Sequence, residues 1–186
     1  MKRLLVVLFV VALAMCLAQV SKAQLASAGN NMNASVGTEL TVAAADEGDF
    51  AELSPGTVYT VSPAGTKVPG GPGSGGAFED VQPVTFTIDG QGSAAVAVTF
   101  LLTDRMLGEN GGLIQVSFGP QAAGWNNADD YQAAMQLFDP KVGTTLYLDD
   151  AGHSFVSLGA TLNVPLGALP GAYIGTVGMS ASYTGF

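Results

Sequence analysis

The sequence predicts an all-β protein, an antiparallel β-sandwich of about eight strands with one short helix. Short stretches in which apolar and polar residues alternate recur along the chain, and clusters of Gly, Pro, Asn and Asp separate them. Alternation with a period of two is typical of strands that bury one face in a core. Turn residues at such regular intervals are typical of a sandwich.

Residues 1–23 have the composition of a signal peptide that is removed during export. The basic start Met1–Arg3 precedes an unbroken apolar run, Leu4 to Ala18. That run is too short to span a bilayer, which needs about 20 apolar residues. Ser21 and Ala23 are the small residues of a cleavage site, so we expect a secreted or cell-surface protein with no transmembrane segment after cleavage.

Cys16 offers a competing interpretation of the same segment. A cysteine near the end of an apolar run can be the lipidated residue of a lipoprotein signal. Met15 stands directly before it, where such signals carry a small residue. We therefore expect the mature protein to begin at Gln24 and to carry no lipid.

The mature chain is strongly acidic. Removal of residues 1–23 leaves three basic residues, Lys67, Arg105 and Lys141, against 15 acidic ones, a net charge of about −12. Such a chain has no electrostatic footprint for nucleic acid and is repelled by anionic lipid. No cysteine follows residue 23, so we expect no disulfide and a fold stabilised by packing and strand pairing.

The first strands are predicted from alternation and from β-branched residues. An N-terminal run places apolar residues at even positions, namely Met32, Ala34, Val36, Leu40, Val42 and Ala44. Thr57 to Ser62 is a short β-branched run that predicts a second strand. The Gly- and Pro-rich stretch from Gly65 to Gly76 predicts a flexible surface loop.

Two hairpins are predicted further along. The runs Val84–Ile88 and Ala94–Leu102 flank Asp89-Gly90-Gln91-Gly92, and Asp-Gly between alternating runs is a strong hairpin signal. The runs Leu146–Leu148 and Phe155–Val164 flank a similar polar turn.

The remaining strands lie on either side of the second hairpin. Ile114, Val116 and Phe118 alternate with polar residues and predict one strand. The last alternating run carries on one face Tyr173, Gly175, Val177, Met179, Ala181 and Tyr183. These strands bring the total to about eight.

One helix is predicted, from Asn126 to Phe138. The asparagines at its start can cap it, and Asp129 and Asp130 suit the positive first turn of a helix. Asp139-Pro140 would end it.

The C-terminal residues resemble a recurring ending of secreted bacterial β-sandwich proteins. Leu158–Pro165 leads to Pro170–Val177 and then to a last alternating strand that ends near Tyr183. This pattern is most similar to the family called domain of unknown function 4402, and a similar ending occurs in spore-coat-U-like and pilin subunits. The resemblance implies an Ig-like or pilin-like sandwich at the cell surface. It implies no catalytic residue, since the family has no established enzymatic role.

We expect no enzyme, because the residues do not form a catalytic site. His153 is the only histidine of the chain, and Asp149, Asp150 and Ser154 stand beside it. A hydrolase needs nucleophile, base and orienting acid in line. Residues crowded into one turn cannot take up that arrangement, and turn geometry alone explains the aspartates.

Acidic clusters raise the question of a calcium site. Asp46-Glu47-x-Asp49, Asp129-Asp130 and Asp149-Asp150 are rich in oxygen ligands, of which calcium takes about 6–8. None of these clusters has the spacing of a calcium-binding loop. We expect no metal or other cofactor, and a weak surface calcium site stays open as the alternative.

Trp125 is the one side chain that suggests contact with a ligand. In the polar stretch Gly124-Trp125-Asn126-Asn127 it could stack on a sugar. The interpretation we favour is that it caps the core between helix and sheet, because aromatic side chains dominate core burial. Both interpretations stay open at this point.

Self-assembly into an extracellular or cell-surface, pilus-like fibre is the function we favour. Residues 24–36 form an N-terminal extension that could be donated to the sandwich domain, residues 37–186, of another copy. The alternative is an ordinary first strand that folds back on its own domain. The strand that would mediate this self-assembly contains Met32, Ala34, Val36, Leu40 and Val42. The partners would then be other copies of the chain, joined by β-strand complementation.

A monomeric secreted binding module is the alternative function. Such a module could bind cell-surface polysaccharide through the loops around Trp125 and residues 65–76. A protein that migrates as a ladder before boiling and as a single band afterwards would favour the fibre.

Overall fold

A computed structural model describes residues 38–70 and 79–184, and these residues form an all-β fold. The all-β class is confirmed, and this part of the chain contains no helix. The fifteen strands are β1 (Thr41–Asp46), β2 (Val58–Val61), β3 (Thr66–Gly70), β4 (Glu79–Asp80), β5 (Val84–Asp89), β6 (Ala95–Leu101), β7 (Arg105–Gly108), β8 (Leu113–Ser117), β9 (Ala123–Asn126), β10 (Gln136–Phe138), β11 (Thr144–Tyr147), β12 (His153–Leu158), β13 (Ala160–Asn163), β14 (Tyr173–Ile174) and β15 (Gly178–Tyr183).

The strands form three antiparallel sheets. The five-stranded sheet has the order β1-β5-β12-β9-β10, and the three-stranded sheet has the order β11-β6-β15. The seven-stranded sheet has the order β14-β7-β8-β13-β2-β3-β4. There are more strands than the eight expected, because β3, β4, β7, β9 and β10 lie where no strand was predicted and two predicted runs are divided between sheets. The last run, for example, contributes β14 to one sheet and β15 to another.

Alternation along the strands builds two apolar clusters. One cluster joins the five-stranded and three-stranded sheets and contains Phe86, Ile88, Val96, Val98, Trp125, Leu146, Leu148 and Val156. The other joins the five-stranded and seven-stranded sheets and contains Tyr59, Ile114, Val116, Phe118, Ala123, Leu158, Ala160, Leu162 and Val164. Each buried Val, Leu or Ile side chain contributes roughly 1.5–3 kcal/mol, so these clusters are the main source of stability.

The helix predicted at Asn126 to Phe138 is wrong. Asn126 ends β9, and its side-chain Oδ1 accepts a hydrogen bond from the backbone N–H of Ala128 at 3.0 Å. Asp130 Oδ1 accepts in the same way from Gln132 N–H at 2.8 Å. Asn and Asp close such local turns as readily as they cap helices. Asp129, with φ at 53°, has a left-handed backbone that a helix does not permit.

The two predicted hairpins are also wrong, although their turns exist. β5 and β6 lie in different sheets, and so do β11 and β12. Residues 89–94, the first arch, and residues 148–153, the second arch, therefore cross from one sheet to another. Alternation indicates which face of a strand is buried, but it does not indicate which strand is its partner.

The two arches pack on each other through backbone hydrogen bonds. Gly90 N–H donates to the carbonyl of Gly152 at 2.8 Å, and Ser93 N–H donates to the carbonyl of Asp149 at 2.7 Å. Gly152 has φ at 90°, and a Cβ on it would overlap the carbonyl oxygen of Gly90. Glycine is needed at this contact because any other residue would hold the arches apart.

The loop predicted from Gly65 to Gly76 is corrected at residues 66–70, which form β3. Residues 71–78 lie outside the described part of the chain. Lys67 on β3 is only 3 % exposed, and its Nζ donates to the carbonyls of Phe50 at 3.2 Å and Glu52 at 3.0 Å. These bonds compensate the burial of the ammonium group, which is otherwise very costly.

Candidate functional site

The N-terminal run that suggested self-assembly enters the fold at an edge strand. β1 pairs with β5 alone, with Val42 opposite Ile88 and Ala44 opposite Phe86. Leu40 and Val42 are half-buried against the core. The other predicted members of this strand, Met32, Ala34 and Val36, lie outside the described residues.

Within residues 38–70 and 79–184, no strand pairs with the free edge of β1. Thr41 to Ala45 contains no charged residue and no proline, and Asp46 is the first charge. Natural edge strands are usually protected by charges, prolines or a covering segment, because their unpaired N–H and C=O groups invite another strand. β1 is therefore open to strand addition along most of its length.

Ala44 shows that the inner face of β1 is uncovered at one end. It lies on the same face as Leu40 and Val42, because strand side chains alternate. Unlike them, Ala44 is exposed to solvent. Its partner in β5, Phe86, is buried in the core. The core is thus open beside the C-terminal half of β1.

A cleft of about 500 Å³, here called the β1 cleft, occupies this opening. Residues from Ala44 to Gly48 form one wall, and residues 173–177 form the other. Core side chains form the floor, namely Phe86, Val116, Phe118 and Leu158. The cleft therefore gives an apolar side chain direct access to the core.

The wall opposite β1 is a break in strand pairing. β14 pairs Ile174 with Leu107 of β7, and the ladder resumes where Gly178 of β15 pairs with Leu101 of β6. Residues 175–177 lie between these two paired stretches. The stretch opposite them, residues 102–106, is two residues longer than residues 175–177. This part of the ladder is therefore bulged.

Tyr183 marks the other end of β1. Its hydroxyl accepts a hydrogen bond from Gln91 N–H at 2.7 Å and donates to the carbonyl of Thr38 at 3.1 Å. It also packs, with Met179 and Ala181, against the apolar cluster, as predicted for the inner face of the last run. The chain thus enters β1 beside the first arch, at the end away from the β1 cleft.

A second cleft of about 710 Å³, here called the Pro63 cleft, lies beside β10. It is lined by Pro63, Pro120, Ala134 and Leu137, among others, and by no charged residue. Its strands β2 and β13 are paired on both sides. Only β10 therefore offers this cleft a strand edge.

His153 contacts carboxylates and does not form a catalytic triad. Its Nδ1 lies 2.8 Å from Asp89 Oδ1, and its Nε2 lies 3.8 Å from Asp129 Oδ1. The hydrogen bond with Asp89 raises the pKa of His153, burial opposes this rise, and the charges of Asp89, Asp129 and Asp149 support it. Ser154 donates instead to the backbone carbonyl of Asn126 at 3.3 Å.

The neighbouring aspartates are used within the arches. Asp149 Oδ1 accepts from the backbone N–H of His153 at 2.8 Å, and Asp150 Oδ1 accepts from Ser93 Oγ at 2.7 Å. Across residues 38–70 and 79–184 no three His, Cys, Asp or Glu side chains are grouped to hold a metal ion. Nor does this part of the chain contain a helix long and apolar enough to cross a membrane.

Trp125 lies in the core and not in a loop. It belongs to β9, is 8 % exposed and packs in the cluster with Phe86 and Val156. Its position therefore agrees with the interpretation that Trp125 packs in the core, and not with the interpretation that it stacks on a sugar. The indole face has little surface left for a sugar.

Two features could not be predicted from the sequence, namely the buried Lys67 and the β1 cleft. Lysine is almost never fully buried unless it is paired, and its partners are carbonyls of a distant loop that carry no sequence signature. The cleft depends on where two sheets separate. The only local hint is Gly175, where a Cβ would come within 2.9 Å of Met106 Cγ.

Together the fold and the site define an all-β protein of antiparallel sheets, with an open edge strand beside an apolar cleft. A family model described as "Domain of unknown function (DUF4402)" matches residues 46–183, and the chain belongs to this family. The resemblance to this family is thereby confirmed. The match begins at Asp46, so β1 up to Ala45 precedes it. No curated protein and no solved structure matches the chain.

Proposed function

We propose that the protein is a structural subunit of an extracellular or cell-surface fibre, whose copies are joined by β-strand complementation. The observation that carries this proposal is the open edge of β1, which has no charge and no proline from Thr41 to Ala45. An added strand would satisfy the backbone groups of this edge, and its alternate side chains could enter the core.

The proposal also includes the Ig-like or pilin-like form of the sandwich. The apolar clusters between the five-stranded sheet and the other two sheets support it, because a sandwich buries the inner faces of facing sheets. Residues 1–23 support the export that a surface fibre requires. The negative charge would keep exported subunits soluble before assembly.

The alternative, a monomeric module that binds polysaccharide, has less support. It depended on Trp125 as a stacking surface, and that side chain is buried in the core. Sugar recognition by aromatic stacking would require an exposed ring face.

The test compares exported wild-type protein with a variant that lacks residues 24–36. We expect the wild type to form fibres in electron micrographs and an oligomer ladder in unheated gel lanes, and we expect the deletion variant to be monomeric on size-exclusion chromatography. A wild type that stays monomeric at high concentration would contradict the proposal.

A charge-matched pair of variants tests the role of alternation. Met32→Asp with Val36→Asp places two charges on the face expected to enter a core, and Asn33→Asp with Ser35→Asp places two on the opposite face. We expect fibres to be lost in the first variant and kept in the second. Equal behaviour of both would mean that this segment does not act as a strand.

A further inference from the structure

The segment before β1 leaves the described domain at one end of β1, whereas the apolar opening lies at the other end. Thr38 is bonded to Tyr183 beside the first arch, and the β1 cleft begins at Ala44. The six residues of β1 separate these ends by about 20 Å at the usual rise of a strand. The N-terminal segment of one copy therefore leaves its domain at the end of β1 opposite to the cleft, so it could reach the cleft of the next copy in a head-to-tail arrangement.

We infer that the β1 cleft is the acceptor for residues 24–36 of a second copy, so that subunits add head to tail. This inference rests on the proposed function and names the surface that the donated segment occupies. The segment would lie between β1, the edge of the five-stranded sheet, and residues 175–177, where the opposite ladder is interrupted.

Three properties of the cleft fit such a segment. Its floor is apolar, so Met32, Ala34 and Val36 would meet Phe86, Val116, Phe118 and Leu158. Its walls include the open edge of β1, which offers backbone hydrogen bonds to an added strand. The segment carries no charge in an otherwise acidic chain, so Asp46 and Glu47 at the rim would not repel it.

The length of the segment is also sufficient. Thirteen extended residues span about 43 Å, twice the length of β1. A donated strand could therefore cover the cleft, and Gly37 would join Val36 in the cleft to Thr38, where the described domain of the donor copy begins. Because the donor and acceptor surfaces differ, the contact does not close on itself as in a two-fold dimer, and repeated addition produces a filament or a ring.

The Pro63 cleft is less suited to accept a strand, although it is larger. Only β10, with three residues, exposes an edge there, since β2 and β13 are paired on both sides. The β1 cleft is lined by residues of two edge strands, β1 and β14, and by Val177, which directly precedes the edge strand β15. Backbone pairing, which an inserted strand requires, is thus available mainly at the β1 cleft.

The first test uses disulfide cross-linking in the exported full chain, which has no cysteine after residue 23. One variant carries Ala34→Cys with Thr176→Cys, and the control carries Ala34→Cys with Ala134→Cys in the Pro63 cleft. Both Thr176 and Ala134 are exposed, so neither cysteine disturbs the core. A disulfide requires Cα atoms within about 7 Å, so it reports direct apposition.

We expect a reducible ladder of covalent oligomers from the Thr176 variant and at least tenfold less from the Ala134 control. A cross-link within one chain would overturn the inference, because the segment would then fold back on its own domain. Fibres that cross-link at Ala134, or at neither position, would overturn the acceptor assignment but leave the proposed function standing. A wild type without any assembly would overturn both.

A second test blocks the cleft from the acceptor side. Ala44→Arg places a charged side chain in the β1 cleft, and Ala43→Arg places the same side chain on the opposite face of the strand, where Ala43 is also exposed. We expect Ala44→Arg to abolish fibres and Ala43→Arg to retain them, with equal melting temperatures. Fibres formed by folded Ala44→Arg protein would contradict the inference. If that variant does not fold, the cross-linking result decides.

Discussion

The imidazole Nδ1 of His153, at the start of β12, lies 2.8 Å from the carboxylate Oδ1 of Asp89, at the end of β5. This contact ties the ends of two neighbouring strands where the arches begin. The hydrogen bond with Asp89 raises the pKa of His153 against the opposing effect of burial, and the negative charges of Asp89, Asp129 and Asp149 add to the rise.

The stability of the fold should depend on pH through this pair. A histidine whose pKa is raised on folding contributes its full stabilisation below its unfolded pKa, and the contribution disappears as the pH rises through the folded pKa. Asp89→Asn should therefore cost about 1 kcal/mol or less at pH 5.5 and nothing at pH 9. Thermal melts of both proteins at both pH values measure this loss of stability, since each kcal/mol lowers the melting temperature by about 2–4 °C. An equal loss at both values would show that charge is not involved.

Gly152 should be the most sensitive position of the arches. Gly152→Ala must accommodate a Cβ against the carbonyl of Gly90 and a φ of 90°, so we expect a loss of about 2–3 kcal/mol. Gly119→Ala is the control, because nothing lies within 4 Å of a Cβ there. Urea unfolding of both variants provides the comparison. If Gly152→Ala were as stable as the control, the close contact between the arches would not exist in solution.

Lys67 should stabilise the fold through its ammonium group. In Lys67→Met the carbonyls of Phe50 and Glu52 lose a buried donor, which costs about 1–3 kcal/mol. Lys141→Met removes the same charge at an exposed site, so it should change stability by about 0.5 kcal/mol at most. Equal effects in chemical denaturation would mean that the role of Lys67 is general electrostatics.

Trp125, the single tryptophan of the chain, makes intrinsic fluorescence a reporter of the core. We expect the emission of a buried indole, unchanged by added polysaccharide, and a loss of about 3–5 kcal/mol in Trp125→Ala. A polysaccharide that shifted the emission without unfolding the protein would instead support the binding-module alternative.

The all-β class and the family could be predicted because they depend on local pattern. Alternation at Val96 and Val98 or at Met179 and Ala181 reports which side chains face the core, and the structure places them there. Strand partners could not be predicted in this way. Asp89-Gly90 suits a hairpin and an arch equally, and the choice depends on bonds to Gly152, about 60 residues away.

The candidate site residues also differ in how far local pattern determines their position. The polar asparagines after Trp125 suggest a loop, yet they begin a turn only after β9 has carried the indole into the core. The strand at Leu40 and Val42 was visible as alternation. The opening beside Ala44 is not visible in the sequence pattern, because it arises where two sheets separate.

The stacked arches also determine how the polypeptide can acquire its structure. A hairpin can form alone within about 1–10 µs, because its two strands bond to each other. The two strands of an arch do not bond to each other, so β5 must find β1 or β12 and β6 must find β11 or β15, all of them distant in the sequence. Chains dominated by such distant pairings fold slowly, in milliseconds to seconds. During that interval an emerging chain exposes its strand edges, and collision with another nascent chain competes with correct folding.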